Sequence, residues 1–301
     1  WQTPIHLSLH NQDILYMGSH KVHRSMDRGE TFTTISPDLT RGGEKGDVPY
    51  GTLTSIHESP LQFGLLYAGS DDGLLHVTRN GGASWEKISD PWPQHLWVSR
   101  VQASAHEKSR VYAALNGYRW DVFDAWLYVS DNYGLNWEPL GENLPQEPIN
   151  VIKEDPGNPD ILYVGTDHGA YVSLDRGQTF MPFAEGLPAV PVHDLAVHPR
   201  DKELVLATHG RSFYLADVEQ LQQMDSAVLN SPMHIFALED VRHSSAWGSR
   251  SFDWSEYRQP DMQIPFFAKE AGPIKVEITF SGKNEEKPLS VFTETLEAEA
   301  G

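Results

Sequence analysis

The first 217 residues alternate between short apolar segments and polar turns in one recurring order. An alternating apolar and polar segment, such as Pro4–Leu9, Leu53–His57 or Val192–Val197, comes first. A turn rich in Pro, Asn or Asp follows and leads into a short apolar segment that ends in small residues. These turn-and-segment pairs occupy residues 8–19, 59–70, 105–114, 155–166 and 198–208. Short apolar segments of this kind, bounded by turn residues, predict β-strands.

An eight-residue pattern returns downstream of four of these segments, at residues 25–32, 78–85, 130–137 and 173–180. Its frame is a hydroxyl residue, then Asp or Asn at position three, Gly at position five and an aromatic at position eight. The Asp and Asn residues, which can accept hydrogen bonds from the turn's own backbone, are Asp27, Asn80, Asn132 and Asp175. The glycines, which allow a positive φ, are Gly29, Gly82, Gly134 and Gly177. The aromatics, which we expect to pack on the core, are Phe32, Trp85, Trp137 and Phe180.

Each eight-residue pattern, called a clip below, therefore predicts a tight turn between two strands. Asn replaces Asp in two of the four copies, which keeps the hydrogen-bond acceptor and loses the acid. We interpret the Asp and Asn residues of the clips as structural rather than catalytic.

One complete unit consists of strand, turn, strand, turn, strand, clip and strand. Four-stranded units that repeat every 40–50 residues or so are typical of the blades of a β-propeller. The sequence thus predicts an all-β fold with about five visible blades, of which the fifth lacks a clip. We expect these blades to be part of a larger propeller, completed by upstream blades or by a partner; a closed five-bladed ring is the alternative.

The clips resemble the Asp-box of BNR-repeat proteins, which include sialidases, xyloglucanase-type glycoside hydrolases and sortilin-type receptors. Residues 1–8, 36–40 and 116–128 also resemble a bacterial sortilin-like group of large secreted proteins, often labelled glycosyl hydrolases. Residues 208–217 resemble the last blade of that group. The resemblance implies the propeller fold for residues 1–217 and a secreted or periplasmic bacterial location. It leaves activity open, because Asp-boxes occur in enzymes and in binding proteins alike.

Residues 218–235 are predicted to form a helical linker, since Val218, Leu221, Met224 and Val228 recur at helical intervals behind Asp217, a suitable N-cap. We predict one helix over residues 217–229. Residues 236–301 are predicted to be a β-rich accessory module, with strands at 263–267 and 274–280 joined by a turn at 270–273. The resemblance implies a β-sandwich here, truncated at Gly301. We expect the acidic tail from Glu294 to fray.

Composition narrows the range of partners. The chain has 301 residues, a formal net charge of −19 and no cysteine. An acidic protein is poorly suited to nucleic acid or to anionic membrane surfaces, because phosphates are bound by Lys and Arg. No apolar run approaches the ~20 residues that would span a bilayer. Disulfides and thiolate metal sites are excluded, and we predict no cofactor and no metal.

Propellers bind ligands at the top face, which is built from the loops between second and third strands and from the connections between blades. These loops contain residues 19–21, 71–72, 118–124, 167–168 and 209–211, and the connections contain residues 36–50 and 90–97. The loop at 118–124 is the most unusual. The candidate ligand-binding residues are Asp72, Tyr118, Arg119, Trp120, Asp121, Asp124, Asp167, His168, His209 and Arg211.

Hydrolysis of a glycosidic bond would need two carboxyl groups, about 5–5.5 Å apart for retention or about 6.5–9.5 Å for inversion. The available acids are Asp71, Asp72, Asp121, Asp124 and Asp167, with Asp121 and Asp124 as weak catalytic candidates. The alternative for Asp71 and Asp167 is that they cap ordinary turns. The Arg-Ile-Pro motif of sialidases does not occur. His168 and His209 occupy equivalent loops and could meet at the funnel, or could be turn residues.

Three hypotheses remain. The first is a secreted β-propeller scaffold that binds a peptide or glycan through its top face. The second is a glycoside hydrolase of the xyloglucanase kind, with paired carboxylates. The third is a structural module of a larger surface protein. The sequence alone does not establish whether the protein is an enzyme.

Overall fold

The computed structural model describes residues 3–42, 51–90, 92–93, 95–183, 185–238, 244–252, 254–258, 263–280 and 289–300. They divide into two compact units, Trp1–Gln222 and Gln223–Gly301. The first unit contains four four-stranded antiparallel sheets and one three-stranded antiparallel sheet among its described residues. Within each sheet the strands follow chain order, which confirms the predicted all-β propeller architecture. The number of blades in a complete ring stays a prediction.

The strands of the first unit fall into five blades. Blade 1 has β1 Ile5–Leu7, β2 Leu15–Gly18, β3 Val22–Ser25 and β4 Thr33–Thr34. Blade 2 has β5 Leu53–Glu58, β6 Leu66–Ser70, β7 Leu75–Thr78 and β8 Glu86–Lys87. Blade 3 has β9 Trp97–Ala103, β10 Val111–Gly117, β11 Val122–Ser130 and β12 Glu138–Pro139. Blade 4 has β13 Ile149–Glu154, β14 Leu162–Thr166, β15 Ala170–Ser173 and β16 Met181–Pro182. Blade 5 has β17 Val192–His198, β18 Glu203–Thr208 and β19 Phe213–Asp217.

The hydrophobic core lies between successive blades. One cluster joins blades 1 and 2, and three more follow between the later pairs. The second strands of blades 2 to 4 are completely buried, while the short fourth strands are exposed. Sheets stacked face to face in this way bury both faces of every internal blade.

The four clips join the third and fourth strands of blades 1 to 4, and each has the same hydrogen bonds. In the first clip the hydroxyl of Ser25 accepts from the amide of Gly29 at 2.8 Å, and the carboxylate of Asp27 accepts from the amide of Thr31 at 2.9 Å. Hydrogen bonds from the hydroxyl and amide of Thr31 lower the pKa of Asp27 to about 2. The glycine at position five has a positive φ in every copy, between 87° and 98°. The residue before it also has a positive φ, which the sequence pattern did not predict.

The clips also connect neighbouring blades. The indole Nε1 of Trp85 in blade 2 donates to the carbonyl of Ile35, just after the last strand of blade 1, at 2.8 Å. The indole of Trp137 makes the same bond to Ile88, also at 2.8 Å. The prediction that Phe32 packs on the core is wrong, since its side chain is 41% exposed.

Two buried glutamates lie between blades at equivalent positions. Glu58 of blade 2 accepts hydrogen bonds from the hydroxyls of Ser8 and Tyr16 of blade 1, at 2.5 and 2.9 Å. Glu154 of blade 4 accepts from Ser104 and Tyr112 of blade 3, at 2.8 and 2.9 Å. Burial, followed by the charge of Glu154, raises the pKa of Tyr112 above its ordinary value. These acids are structural cross-links between sheets.

The single helix predicted for residues 217–229 is wrong. The chain forms α1 Glu219–Gln222 and α2 Ser226–Asn230, because Asp225 interrupts the pattern and caps α2 through the amides of Ala227 and Val228. Val218 is buried in the core between blades 4 and 5, so the first unit extends past the last strand. In the described ranges, no helix has the length and apolar character that crossing a membrane requires.

The second unit contains β20 Met233–Ile235, β21 Phe266–Ala268, β22 Gly272–Phe280 and β23 Leu289–Ala298. β20 pairs with β21, and β22 pairs with β23, so the two strands predicted at 263–267 and 274–280 are not partners. The expectation of a frayed tail is wrong for residues 294–298, which pair with residues 272–276. A β-sandwich stays a prediction, as do the predicted boundaries at residues 217 and 235.

Candidate functional site

The first strands of blades 2 to 5 each carry a β-bulge near the end at which they begin. In each of these strands one residue is skipped in the hydrogen-bonded pairing with the second strand. The skipped residues are Thr54, Ser99, Asn150 and His193. A bulged residue has no ladder partner, and its side chain is redirected. These strands begin on the side that carries the loops between second and third strands, which is the top face.

A cavity of about 740 Å³ opens at the top face and is called the top-face cavity below. Blades 2 to 5 all contribute to its wall. The lining side chains include the aromatic and cationic group Trp97, Tyr118 and Arg119, the histidines His168, His193 and His209, the acids Asp71 and Asp167, and the bulge residues Thr54 and Asn150. The structure thus brings together Tyr118, Arg119, Asp167, His168 and His209 from the set of sequence candidates.

One wall of the cavity is an aromatic group with an arginine stacked on it. The guanidinium of Arg119 lies 4.9 Å from the ring centre of Trp97 and 5.7 Å from that of Tyr118. The two rings meet edge to face with centroids 6.5 Å apart. A short 3₁₀ turn, Tyr118–Trp120, positions Tyr118 and Arg119, and it ends at Asp121 in the left-handed conformation. Stacking of this kind holds an arginine side chain in a defined orientation.

Histidines form another part of the wall. The rings of His193 and His209 have centroids 5.5 Å apart, and Nδ1 of His168 lies 3.4 Å from a carboxylate oxygen of Glu147. Burial, followed by the neighbouring His209, lowers the pKa of His193, while Asp167 opposes the shift. The ring contact therefore joins His209 to His193 rather than to His168. The described residues contain no group of three or more potential ligands arranged to hold a metal.

Both acids in the cavity wall are engaged in hydrogen bonds. One carboxylate oxygen of Asp71 accepts from the amides of Gly51 and Thr52, both at 3.0 Å, and the other accepts from the hydroxyl of Thr52 at 3.1 Å. Asp71 is buried, and its carboxylate holds the start of β5 rather than the turn at residues 69–73 that was predicted for it. Asp167 accepts from the amide nitrogen of Asn150 at 2.9 Å.

The other acidic candidates lie outside the top-face cavity. Asp72 is buried and accepts from the hydroxyl of Ser70 at 2.5 Å and from the amide of Arg41 at 2.7 Å, so it anchors the connection between blades 1 and 2. Asp121 and Asp124 are exposed. Asp124 lines a separate cavity of about 270 Å³ beside Trp126 and Leu140.

The remaining candidates are also outside the cavity. Trp120 is half-buried within the 3₁₀ turn, and Arg211 is exposed in the loop before β19. Residues 43–50 of the connection predicted at 36–50 lie outside the described residues.

Three of the cavity residues that sequence reasoning missed are the bulge residues Thr54, Asn150 and His193. Each lies within a segment that was interpreted as a regular strand. A bulge inserts one residue into an otherwise normal alternation, and in these strands the residues of both faces are largely buried. No local signal marks the insertion, so the direction of these side chains could not be predicted.

No protein-family model and no curated protein matches this sequence. Solved structures do match. An ancestral GH74 enzyme is 17% identical with a TM-score of 0.55, over 69% of this chain and 27% of that chain. The GH74 xyloglucanase from Xanthomonas campestris is 15% identical with a TM-score of 0.55, over 72% and 36%. The β-propeller domain of Cps50 (Swd1) from Myceliophteria thermophila is 13% identical with a TM-score of 0.52, over 73% and 66%.

These likenesses show the β-propeller fold. The chain spans only about a quarter to a third of the length of the two GH74 proteins.

Proposed function

We propose that the propeller is a binding scaffold that holds a peptide or a glycan in the top-face cavity. The observation that supports this most directly is the wall of Trp97, Tyr118 and Arg119 in a cavity to which four blades contribute. Ligand sites are concave, with aromatic surface and a few placed polar groups, and this cavity has both. An aromatic ring beside amide and imidazole groups suits either a sugar ring or an extended peptide.

The alternative is a glycoside hydrolase of the Asp-box, xyloglucanase-like kind. Among the described residues that line the cavity, only Asp71 and Asp167 carry carboxyl groups. Both oxygens of Asp71 already accept hydrogen bonds from the chain. Asp121 and Asp124, the weak catalytic candidates, face solvent outside this cavity. This wall therefore offers one carboxyl group, Asp167, that the chain does not hold through both oxygens, whereas hydrolysis needs a pair, and binding is favoured over hydrolysis.

A matched pair of substitutions within residues 118–124 tests the binding proposal. Tyr118 and Phe123 are similarly exposed, 45% and 50%, but only Tyr118 lines the cavity. The chain is screened against arrays of polysaccharides and of unstructured peptides, and the best binder is then titrated calorimetrically. We expect Tyr118→Ala to weaken binding about tenfold or more, since truncated aromatic anchors commonly cost over 1 kcal/mol. Phe123→Ala is the control and should bind as the unmodified chain does.

Two results would contradict the proposal. The first is a binder whose affinity is unaffected by Tyr118→Ala, or no binder in either array. The second is release of reducing ends from xyloglucan by the unmodified chain, abolished when Asp121→Asn and Asp124→Asn are combined. That second result would favour the hydrolase.

We further propose that the outer faces of blades 1 and 5 pack against further blades, either of the same protein or of a second propeller. Phe213 and Leu215 of blade 5 are 70% and 66% exposed. Ile5 and Leu7 of blade 1 are exposed as well. Internal blades bury these faces in the cores described above. The similarity of the clips to Asp-boxes and the expected secreted or periplasmic bacterial location belong to the same proposal.

A further inference from the structure

Among the described residues that line the top-face cavity, Asp167 is the carboxyl group that the chain holds through one oxygen only. Its Oδ1 accepts a hydrogen bond from Nδ2 of Asn150 at 2.9 Å. Its Oδ2 has neither a hydrogen-bond donor nor a cationic partner in the part of the chain that the structure describes. The side chain is half-buried in the cavity wall. One oxygen of a carboxylate is therefore left for a ligand.

A single difference between blades explains why Asp167 is held less firmly than Asp71. The register of the sheets makes Asp167 of blade 4 the equivalent of Asp71 of blade 2, and Pro148 the equivalent of Thr52. The carboxylate of Asp71 accepts from the amide and from the hydroxyl of Thr52, at 3.0 and 3.1 Å. Proline has neither an amide hydrogen nor a hydroxyl. Blade 4 therefore lacks the donors that hold both oxygens in blade 2.

The second backbone donor of blade 2 is directed elsewhere in blade 4. The amide of Gly51 donates to Asp71 at 3.0 Å. At the equivalent position the amide of Glu147 donates instead to the carbonyl of Pro145, at 2.8 Å. The start of the first strand thus locks the acid in one blade and leaves it available in the other.

Two buried asparagines hold Asp167 in place of the backbone. Oδ1 of Asn150 accepts from Nδ2 of Asn116 at 2.9 Å, and Oδ1 of Asn116 accepts from the amide of Tyr118 at 3.1 Å. Asn150 and Asn116 are 6% and 1% exposed. Each asparagine therefore both donates and accepts, which fixes the orientation of its amide group. This relay connects the carboxylate in blade 4 to the aromatic wall in blade 3.

The charges of the described lining residues favour a cation. The permanently charged side chains are Asp71, Asp167 and Arg119. Asp71 keeps its negative charge, because its donors are neutral groups. Burial, followed by the neighbouring His209, lowers the pKa of His193, so this ring does not neutralise Asp167 at neutral pH. A negative wall in a chain with a net charge of −19 attracts cations and repels anions.

We propose that the top-face cavity selects a peptide with a lysine or arginine side chain, whose cation is bound by the second oxygen of Asp167. This inference rests on the binding function proposed above. A cationic N–H group and a carboxylate form a charge-assisted hydrogen bond, which is stronger than one between neutral groups. The positive charge favours a peptide over a polysaccharide, because most polysaccharides carry no cationic group. Asn150 and Asn116 are positioning residues that orient Asp167.

Titration with a basic peptide tests the site. The probe is a short peptide of alternating lysine and glycine, and the reference is the same peptide with every lysine acetylated, both at physiological ionic strength. We expect acetylation to weaken binding about tenfold or more, the cost of a hydrogen bond between charged groups. We expect Asp167→Asn to weaken binding of the lysine peptide by a similar factor and to leave the acetylated peptide unaffected. Asn retains the acceptor for Asn150, so the relay is preserved.

Two further variants separate this role from general electrostatics. Glu30→Gln removes one negative charge at an exposed position of the first clip and should bind the lysine peptide as the unmodified chain does. Pro148→Thr leaves the net charge unchanged but restores the donors that Thr52 provides in blade 2. We expect it to weaken binding of the lysine peptide, because those donors engage the second oxygen of Asp167. Pro148→Thr therefore decides the outcome even if Asp167→Asn fails to fold.

Equal affinity for the lysine peptide and its acetylated form would overturn the inference, as would equal losses in Asp167→Asn and Glu30→Gln. A chitosan oligosaccharide that binds through Asp167 while the lysine peptide does not would overturn the assignment to a peptide. A neutral ligand whose binding is weakened by Tyr118→Ala, with no binding of the lysine peptide, would overturn this inference and leave the binding function standing. The absence of any binder would contradict both.

Discussion

Four tyrosines occupy the same position in the second strands of blades 1 to 4, but their hydroxyls do not all have a hydrogen-bond partner. The hydroxyls of Tyr16, Tyr112 and Tyr163 donate to buried carboxylates. The hydroxyl of Tyr67 is buried without a partner. In blade 3 the residue where blades 2 and 4 have Glu58 and Glu154 is Ala103, which has no side-chain acceptor. Single residues thus decide which junctions between blades carry a polar cross-link.

Replacing tyrosine by phenylalanine at two of these positions should give opposite results. Tyr112→Phe removes a hydrogen bond to a buried carboxylate, so we expect it to lower the free energy of unfolding by about 1.5–3 kcal/mol. Tyr67→Phe removes an unsatisfied hydroxyl and should leave the stability unchanged or slightly raised. Urea denaturation followed by tryptophan fluorescence measures both. Equal destabilisation by the two variants would contradict the assignment of Glu154 as a cross-link.

The sequence predicted which residues lie at the top face where their position in a loop is enough to place them there. Tyr118, His168 and His209 lie in loops between second and third strands, and those loops converge at the top face in any propeller. Sequence reasoning did not foresee that Asp72 is buried, because its partner Arg41 is 31 positions away and the pairing depends on how two blades stack. Contacts fixed by stacking leave no local pattern to recognise.

At the scale of the element, the clip does more than turn the chain. A Cβ on Gly82 would lie 2.6 Å from the carbonyl oxygen of Ile35 in the preceding blade. A Cβ on Gly134 would lie 2.3 Å from the Cδ1 atom of Ile88. The glycine is therefore required twice, once for its positive φ and once because the neighbouring blade touches it. Sequence reasoning recognised only the first requirement.

Gly29 and Gly82 separate these two requirements. Both have a positive φ, +93° and +98°, but a Cβ on Gly29 would meet nothing nearer than 4.0 Å. We expect Gly29→Ala to cost about 1–2 kcal/mol of unfolding free energy, from backbone conformation alone. Gly82→Ala should cost a further 1–3 kcal/mol or so from the steric contact. Chemical denaturation of the two variants gives the difference; a difference near zero would show that the clip does not fasten adjacent blades.

Strands and clips were predictable because their signals are local: alternation, turn residues and a fixed eight-residue frame. The helix predicted at 217–229 was not, since apolar spacing alone does not show that Asp225 caps a new helix. The pairing of residues 294–298 with β22 was missed for a related reason, because strand pairing is not encoded in the composition of an acidic tail.

At the scale of the whole molecule, the propeller unit exposes apolar surface on the outer faces of its first and last blades. Contiguous apolar surface of this kind marks an interaction site or a tendency to associate. We expect the chain by itself to self-associate with increasing concentration, as measured by sedimentation velocity. Ile5→Lys combined with Leu215→Lys should suppress the association, with little change in stability because both side chains are exposed.

The matching control is Lys108→Glu, a charge change at an exposed position away from both faces. A chain that stays monomeric at every concentration, with the double variant indistinguishable from it, would contradict the role given to these faces.

The repeated bulges have a consequence for how such a molecule can diversify. A residue outside the hydrogen-bonded ladder can be exchanged without altering the pairing of the strands around it. Thr54, Asn150 and His193 are such residues, one from each of three blades, and all three meet at the mouth of the same cavity. Each of the three can therefore alter the wall of this cavity from a different blade.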